Sequence, residues 1–161
     1  MNARLAAGIS PLLVAAVAAG AWWWIGTESS PDGSTAAVLR PDDRRLTDQG
    51  AAIYRRHCAV CHGDSLQGQP NWRVRGPDGM LPAPPHDASG HTWHHTDEVL
   101  IRITRDGVAA VAGDPGYRTT MPVYRGVLTD QEIVAALSWI KSQWPPQVRA
   151  RHDQIGASAR R

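Results

Sequence analysis

The stretch Ala52–Gly63, AIYRRHCAVCHG, decides how the chain is read, because Cys58-Ala59-Val60-Cys61-His62 within it is a C-x-x-C-H run. These are the only two cysteines among 161 residues. At this spacing both thiols fall on one helical turn, and each can form a thioether with a vinyl group of haem. The adjoining His62 then presents an imidazole to the iron. A thioredoxin-like redox pair would need a strand before the motif and a βαβ frame, and the sequence offers neither. A zinc site would need further ligands, which His57, His86, His91, His94 or His95 could supply. A structural disulfide would leave His62 unexplained. The run predicts one covalent haem c, attached through Cys58 and Cys61, with His62 on the iron.

Working outward, Leu46–His57 reads as a helix, with Thr47 as N-cap and Leu46, Gly50, Ile53, Tyr54 and His57 recurring at three and four. Gly63–Thr92 holds five prolines and five glycines, too many for regular structure, and a loop that long is usually wrapped around something. Thr96-Asp97-Glu98 opens a second helix that carries Val99, Leu100 and Ile103 and ends before Gly107; the run Val99–Thr104 could alternatively be a strand. Thr129-Asp130-Gln131-Glu132 is a capping box opening a third, with Ile133, Ala136, Leu137 and Ile140 as its apolar face. Pro145-Pro146 stops it. The chain is expected to be all-α, with a folded domain over 46–146 and a loose basic tail over 147–161. His57 and His152 are expected to face solvent.

At the other end, seventeen of the twenty-one residues Leu5–Ile25 are apolar and none is charged. A helix of that length spans ~31 Å, enough for a bilayer's hydrocarbon layer. Arg4 on the short side favours a cytoplasmic N-terminus with the rest exported, and Trp22-Trp23-Trp24 suits the outer interface. Residues 1–25 are thus expected to be an anchor, with a cleaved signal peptide ending near Ala19-Gly20-Ala21 as the alternative. Residues 26–45 are polar and lack apolar periodicity, which reads as a flexible linker. A net charge of +2 excludes a dedicated nucleic-acid binder.

Beyond the motif itself, Gly50 and Tyr54 before Cys58, Met121-Pro122, and a final helix bearing Trp139 resemble the class I monohaem c-type cytochromes. The likeness covers roughly Thr47 to Trp144. It implies a small fold in which the first and last helices cross at Gly50 against Ala136 and Trp139, with one middle helix and long loops around the haem. It also implies that His62 donates its second ring N–H to a proline carbonyl, with Pro82, Pro84, Pro85 and Pro70 as candidates. Of the three methionines, Met121 precedes the last helix as that family's sixth ligand does. Met80, or His91, His94 or His95 in a bis-histidine site, remain the alternatives. Trp93, His94, His95 and Arg73 are candidates for propionate or haem contacts, with Trp72 and Arg75 beside them.

The resemblance implies a single-electron carrier rather than an enzyme, with a quinol-oxidising complex as donor. Its acceptor would be a terminal oxidase, a reaction centre or another periplasmic oxidoreductase. A fixed electron-transfer subunit of an oxidase is the alternative, and a haem sensor or His-rich metal-binding module a more distant one. With the anchor, the haem domain would sit on the periplasmic side of a bacterial inner membrane. One departure stands out: the ring of lysines often described around the haem edge of soluble relatives has no counterpart here. Lys141 is the single lysine, against sixteen arginines.

Overall fold

A computed structural model of the protein describes residues 38–161. The expected anchor, 1–25, and residues 26–37 of the expected linker lie outside the described residues. Six helices form the described part: α1 (Arg44–His57), α2 (Ala59–His62), α3 (Asp97–Asp106), α4 (Val108–Ala112), α5 (Asp130–Ser142) and α6 (Pro146–Ala159). A short 3-10 turn, Thr92–His94, precedes α3. Among the described residues there is no strand, and no helix is long and apolar enough to cross a membrane.

Each helix start follows from who satisfies its first N–H groups. Asp43, not Thr47, caps α1: its carboxylate accepts the Leu46 N–H at 3.1 Å, so the helix begins three residues before Thr47. Thr47 sits inside the first turn and donates its hydroxyl to the Arg44 carbonyl. Apolar periodicity begins at Leu46, but a helix starts where its orphan donors find a partner, and Asp43 is the earlier one. Thr96 caps α3 through the Val99 N–H, and Gly107 follows its end, so Val99–Thr104 is helix. Thr129 and Glu132 form the full reciprocal capping box at the start of α5.

The core is built where α1 lies on α5. Ile53 and Tyr54 from α1 meet Ile133, Ala135, Ala136, Leu137 and Ile140 from α5, and Leu100 and Ile101 of α3 complete the apolar body. Gly50 is the point of closest approach, where a Cβ would run into the Ala135 carbonyl oxygen and crowd the Trp139 Cβ. The contact partner is therefore Ala135 with Trp139; Ala136 instead faces the large cavity described below. Tyr54 packs its ring on Trp139 with centroids 4.6 Å apart.

Two expectations about the flanks are overturned. The linker does not extend to residue 45. Leu39 is 3% exposed, its N–H is held by the Asp97 carboxylate at 3.0 Å, and the Arg40 N–H by the Ser138 hydroxyl at 2.9 Å. Residues 147–161 are not a loose tail, because α6 runs through Pro146–Ala159. Pro145-Pro146 ends α5 and also begins α6: a proline at the first helical position lacks only an N–H that would be orphaned there anyway. The one buried residue of α6 is His152, 1% exposed, which corrects the expectation of a solvent-facing side chain. His57 is half-buried, edge-on to the Tyr124 ring.

Candidate functional site

Directly after α1, Cys58 begins a single tight turn in which the Cys61 and His62 N–H groups both reach the Cys58 carbonyl, at 3.1 and 2.9 Å. This turn is braced by two phenols. Tyr54, one helical turn before Cys58, donates its hydroxyl to the Gly63 carbonyl at 2.8 Å. Tyr124, from the segment beyond Met121, donates to the His57 carbonyl at 2.6 Å. Burial raises both phenols: Tyr124 is pushed up to about 12, and Tyr54 is raised further, with the nearby Cys58 adding to burial in each case. Both therefore remain donors across the neutral range.

His62 is buried, and its Nδ1 lies 2.8 Å from the Pro84 carbonyl oxygen. A carbonyl only accepts, so Nδ1 carries the hydrogen and Nε2 keeps its lone pair. Burial lowers the His62 pKa below the ordinary imidazole value, which favours this neutral form, while the Pro84 bond opposes the shift. The loop that supplies Pro84 is locked by its backbone. Gly68 donates to the His62 carbonyl, Gln69 to that of Ala83, and His86 to that of Leu66. Gly68 has φ +65° and lies so close to Pro84 and Pro85 that no Cβ fits.

On the other side, the segment carrying Met121 is pinned to the end of α3. The Tyr124 and Arg125 N–H groups bond the Thr104 and Arg105 carbonyls, which a helix end leaves free. Arg125 pairs with Asp106, tying the same segment to the end of α3, and Arg105 bridges from there to Asp130 at the start of α5, at 3.3 Å.

Between these walls lies a cavity of about 810 Å³. Cys58, Cys61, His62 and Met121 all line it, as do His95, Arg73 and Trp72. Its remaining wall is largely apolar, including Leu100, Ile103, Val108, Leu137, Ile140 and Pro82. Both cysteines are free thiols, and Cys58 is pushed up to about 11 by burial with the second thiol adding to it. A thiol raised this far is not the low-pKa thiolate of a redox-active C-x-x-C pair. The arrangement fits a haem: an apolar slot, two free thiols at one edge, an imidazole with a free lone pair and a thioether sulfur.

Several expected contacts fall elsewhere. Met80, Arg75, Trp93 and His94 do not line this cavity. Trp93 donates its indole N–H to the Ala88 carbonyl and stacks on His94 within the loop. The side that does carry polar groups is an array in which Arg73 lies 4.0 Å over Trp72, Trp72 stacks on His91 at 5.3 Å, and His91 meets His95 edge-on at 5.4 Å. Burial lowers both His91 and His95, with neighbouring histidines adding to the effect. Sequence reasoning named His86 only as a possible zinc ligand and gave it no place beside the haem site. It lines the cavity and stacks on His62, with centroids 3.9 Å apart and planes 21° from parallel. Nothing in the residue order signals that stack, since it is made by the loop path from Leu66 to Thr92.

An all-helical domain whose C-x-x-C-H turn opens on such a cavity has the construction of a c-type cytochrome. Residues 45–140 match the family described as Cytochrome C oxidase, cbb3-type, subunit III, and the chain belongs to it. That membership gives it a haem c and a role in electron transfer. No curated protein and no solved structure matches the chain.

Proposed function

We propose that the protein carries single electrons through one haem c bonded to Cys58 and Cys61 and ligated by His62 and Met121. The observation that carries this reading is the convergence of these four side chains on one apolar cavity. When bound, the haem supplies an iron that changes oxidation state by one electron. The protein's residues do the rest. His62 keeps Nε2 free for the metal by giving its other N–H to Pro84. Met121 offers a soft sulfur that favours the ferrous state and so raises the potential. With His62 and Met121 both holding the iron, no substrate would need to bind, and the apolar walls would keep water away. Arg73 and His95, which line the cavity, would meet the propionates.

The donor in this reading is a quinol-oxidising complex, and the acceptor a terminal oxidase, reaction centre or other periplasmic oxidoreductase. Leu5–Ile25 would tether the domain to the inner membrane. A second reading, a fixed electron-transfer subunit of an oxidase, is favoured by the description of the matched family. Between Arg40 and Pro146 basic and acidic residues are equal in number, so long-range steering toward a charged partner is weak, which suits a held subunit as well as a tethered carrier.

Acid–acetone extraction tests the attachment: the colour stays with the denatured protein, and its release into the solvent would refute the thioether assignment. Met121→Leu should remove the weak near-infrared sulfur-to-ferric-iron band; its survival there and loss in Met80→Leu would move the ligand to Met80. Co-purification with a large complex from detergent extracts separates the subunit from the carrier.

A further inference from the structure

The bond from His62 Nδ1 to the Pro84 carbonyl fixes the direction of one N–H but leaves the ring plane free to turn about it, because carbonyl oxygens accept over a broad range of directions. A second constraint on the plane must come from packing, and His86 is the ring lying against it, 3.9 Å between centroids and 21° from parallel. We propose that His86 is a positioning residue that sets the rotation of the His62 ring, and through it the orientation in which Nε2 is presented to the iron. This rests on the haem reading given above.

His86 is itself held on three sides. Its N–H donates to the Leu66 carbonyl at 2.8 Å. Its Nδ1 lies 2.8 Å from the Thr92 hydroxyl, which itself lies 3.4 Å from the Pro85 carbonyl oxygen. Its carbonyl accepts the Trp144 indole N–H at 2.7 Å. Tyr54 closes the fourth side edge-on, with centroids 6.3 Å apart. A ring held this way cannot follow His62 if His62 turns, so the stack acts as a stop rather than as a passive neighbour. Trp144 lies beyond the stretch 45–140 that matches the family. The brace on the proximal side therefore includes a residue outside the shared core, at the junction with α6. The rotation of an imidazole bound to iron would tune the metal it holds, so its signature would be spectroscopic and separate from fold stability.

The experiment uses the haem-loaded full chain. A pyridine haemochrome assay on the unmutated protein comes first; absence of covalent haem there would refute the haem reading itself, independently of His86. Low-temperature EPR of the ferric form and the reduction potential are then measured for His86→Phe, His86→Leu and Trp144→Phe. His86→Phe keeps a ring on His62 and should retain a single low-spin species with g values near those of the parent. His86→Leu should shift or split the g values and move the potential, and Trp144→Phe should displace them in the same sense by less. Parental spectra and potential in a folded, haem-loaded His86→Leu would overturn the proposal, as would a shift in His86→Phe as large as in His86→Leu. Should His86→Leu give no holoprotein, Trp144→Phe decides: displaced g values support the brace, and parental ones refute it.

Discussion

The α1–α5 contact and the docking of α6 join helices by opposite means. Where α1 meets α5, the interface is apolar and so close that Gly50 touches the Ala135 backbone. The α6 helix is instead seated on a polar nest. Lys141, 4% exposed, pairs with Asp153 at 2.6 Å, and its ammonium lies 3.9 Å from Asp97. His152 lies against the Trp144 ring with Nε2 3.4 Å from Asp97 Oδ1. That carboxylate oxygen has no hydrogen-bond partner among the described residues, and both ring nitrogens of His152 lack a well-aligned one. Apolar packing tolerates no added atom but is indifferent to pH, whereas a buried polar nest is sensitive to every proton and charge it holds.

Adding one methyl group where the helices touch should do the most damage. Gly50→Ala is expected to cost about 3 kcal/mol, the upper end for overpacking, since backbone rather than a flexible side chain must yield. Denaturant unfolding of the holoprotein measures it, and a cost near zero would show that α1 and α5 can slide apart freely.

The next largest effect belongs to the nest. Lys141→Met leaves Asp97 and Asp153 without their cation. Because Asp153 is 63% exposed and water can replace part of the loss, the cost should be about 1–2 kcal/mol. Amide exchange should show the loss in α6 before it reaches α1; uniform loss of protection would make α6 part of one cooperative core.

Acid should act on the same region. Burial, then the adjacent Lys141, lowers the His152 pKa, against the opposing pull of Asp97, Asp153 and the His95 carbonyl. The folded state therefore binds fewer protons than the unfolded chain just below pH 6.5. The stability that comes from a neutral His152 is complete above that pH and is lost as pH falls toward the lowered value. The slope is at most one proton, ~1.4 kcal/mol per pH unit. Comparing the parent with His152→Gln isolates it from the cavity histidines, and identical slopes in the two would remove His152 from the account.

Smallest is a gain. At Gly156 in α6 the nearest atom to an added Cβ is Arg160 Nη1, 3.5 Å away, which is ordinary contact. Gly156→Ala should stabilise by about 0.5–1 kcal/mol through helix propensity. The same substitution thus has opposite signs in the two regions, and a shared sign would collapse the distinction between them.

The same contrast explains what could be read from the residues alone. The α3 and α5 boundaries were legible because Thr96, Gly107, Thr129 and Glu132 are local signals, each acting within one turn. Cys58, Cys61 and His62 were legible as a unit because their chemistry depends on spacing. Leu39 and His152 were not, since each is buried by partners far along the chain: Leu39 is held by Asp97, and His152 lies against Trp144 and beside Lys141. Polar residues without apolar periodicity read as solvated, and a helix that docks through charge and one imidazole leaves no stripe to find. In the site, the Pro84 bond fell within the expected proline run. The exclusion of Trp93 and His94 from the cavity and the inclusion of His86 depend on the loop's path, which no period encodes.

The two tyrosine braces give the C-x-x-C-H turn a one-sided tolerance. Tyr54 and Tyr124 hold the carbonyls at its two ends through hydroxyl donors that burial keeps protonated up to about pH 12 for Tyr124 and beyond for Tyr54. Alkali therefore does not unfasten the turn from these braces, while mild acid already works on the C-terminal helix. Acid thus acts first at an imidazole on the C-terminal helix, beside the His95 backbone, while the braces respond only to conditions harsh enough to ionise a buried phenol.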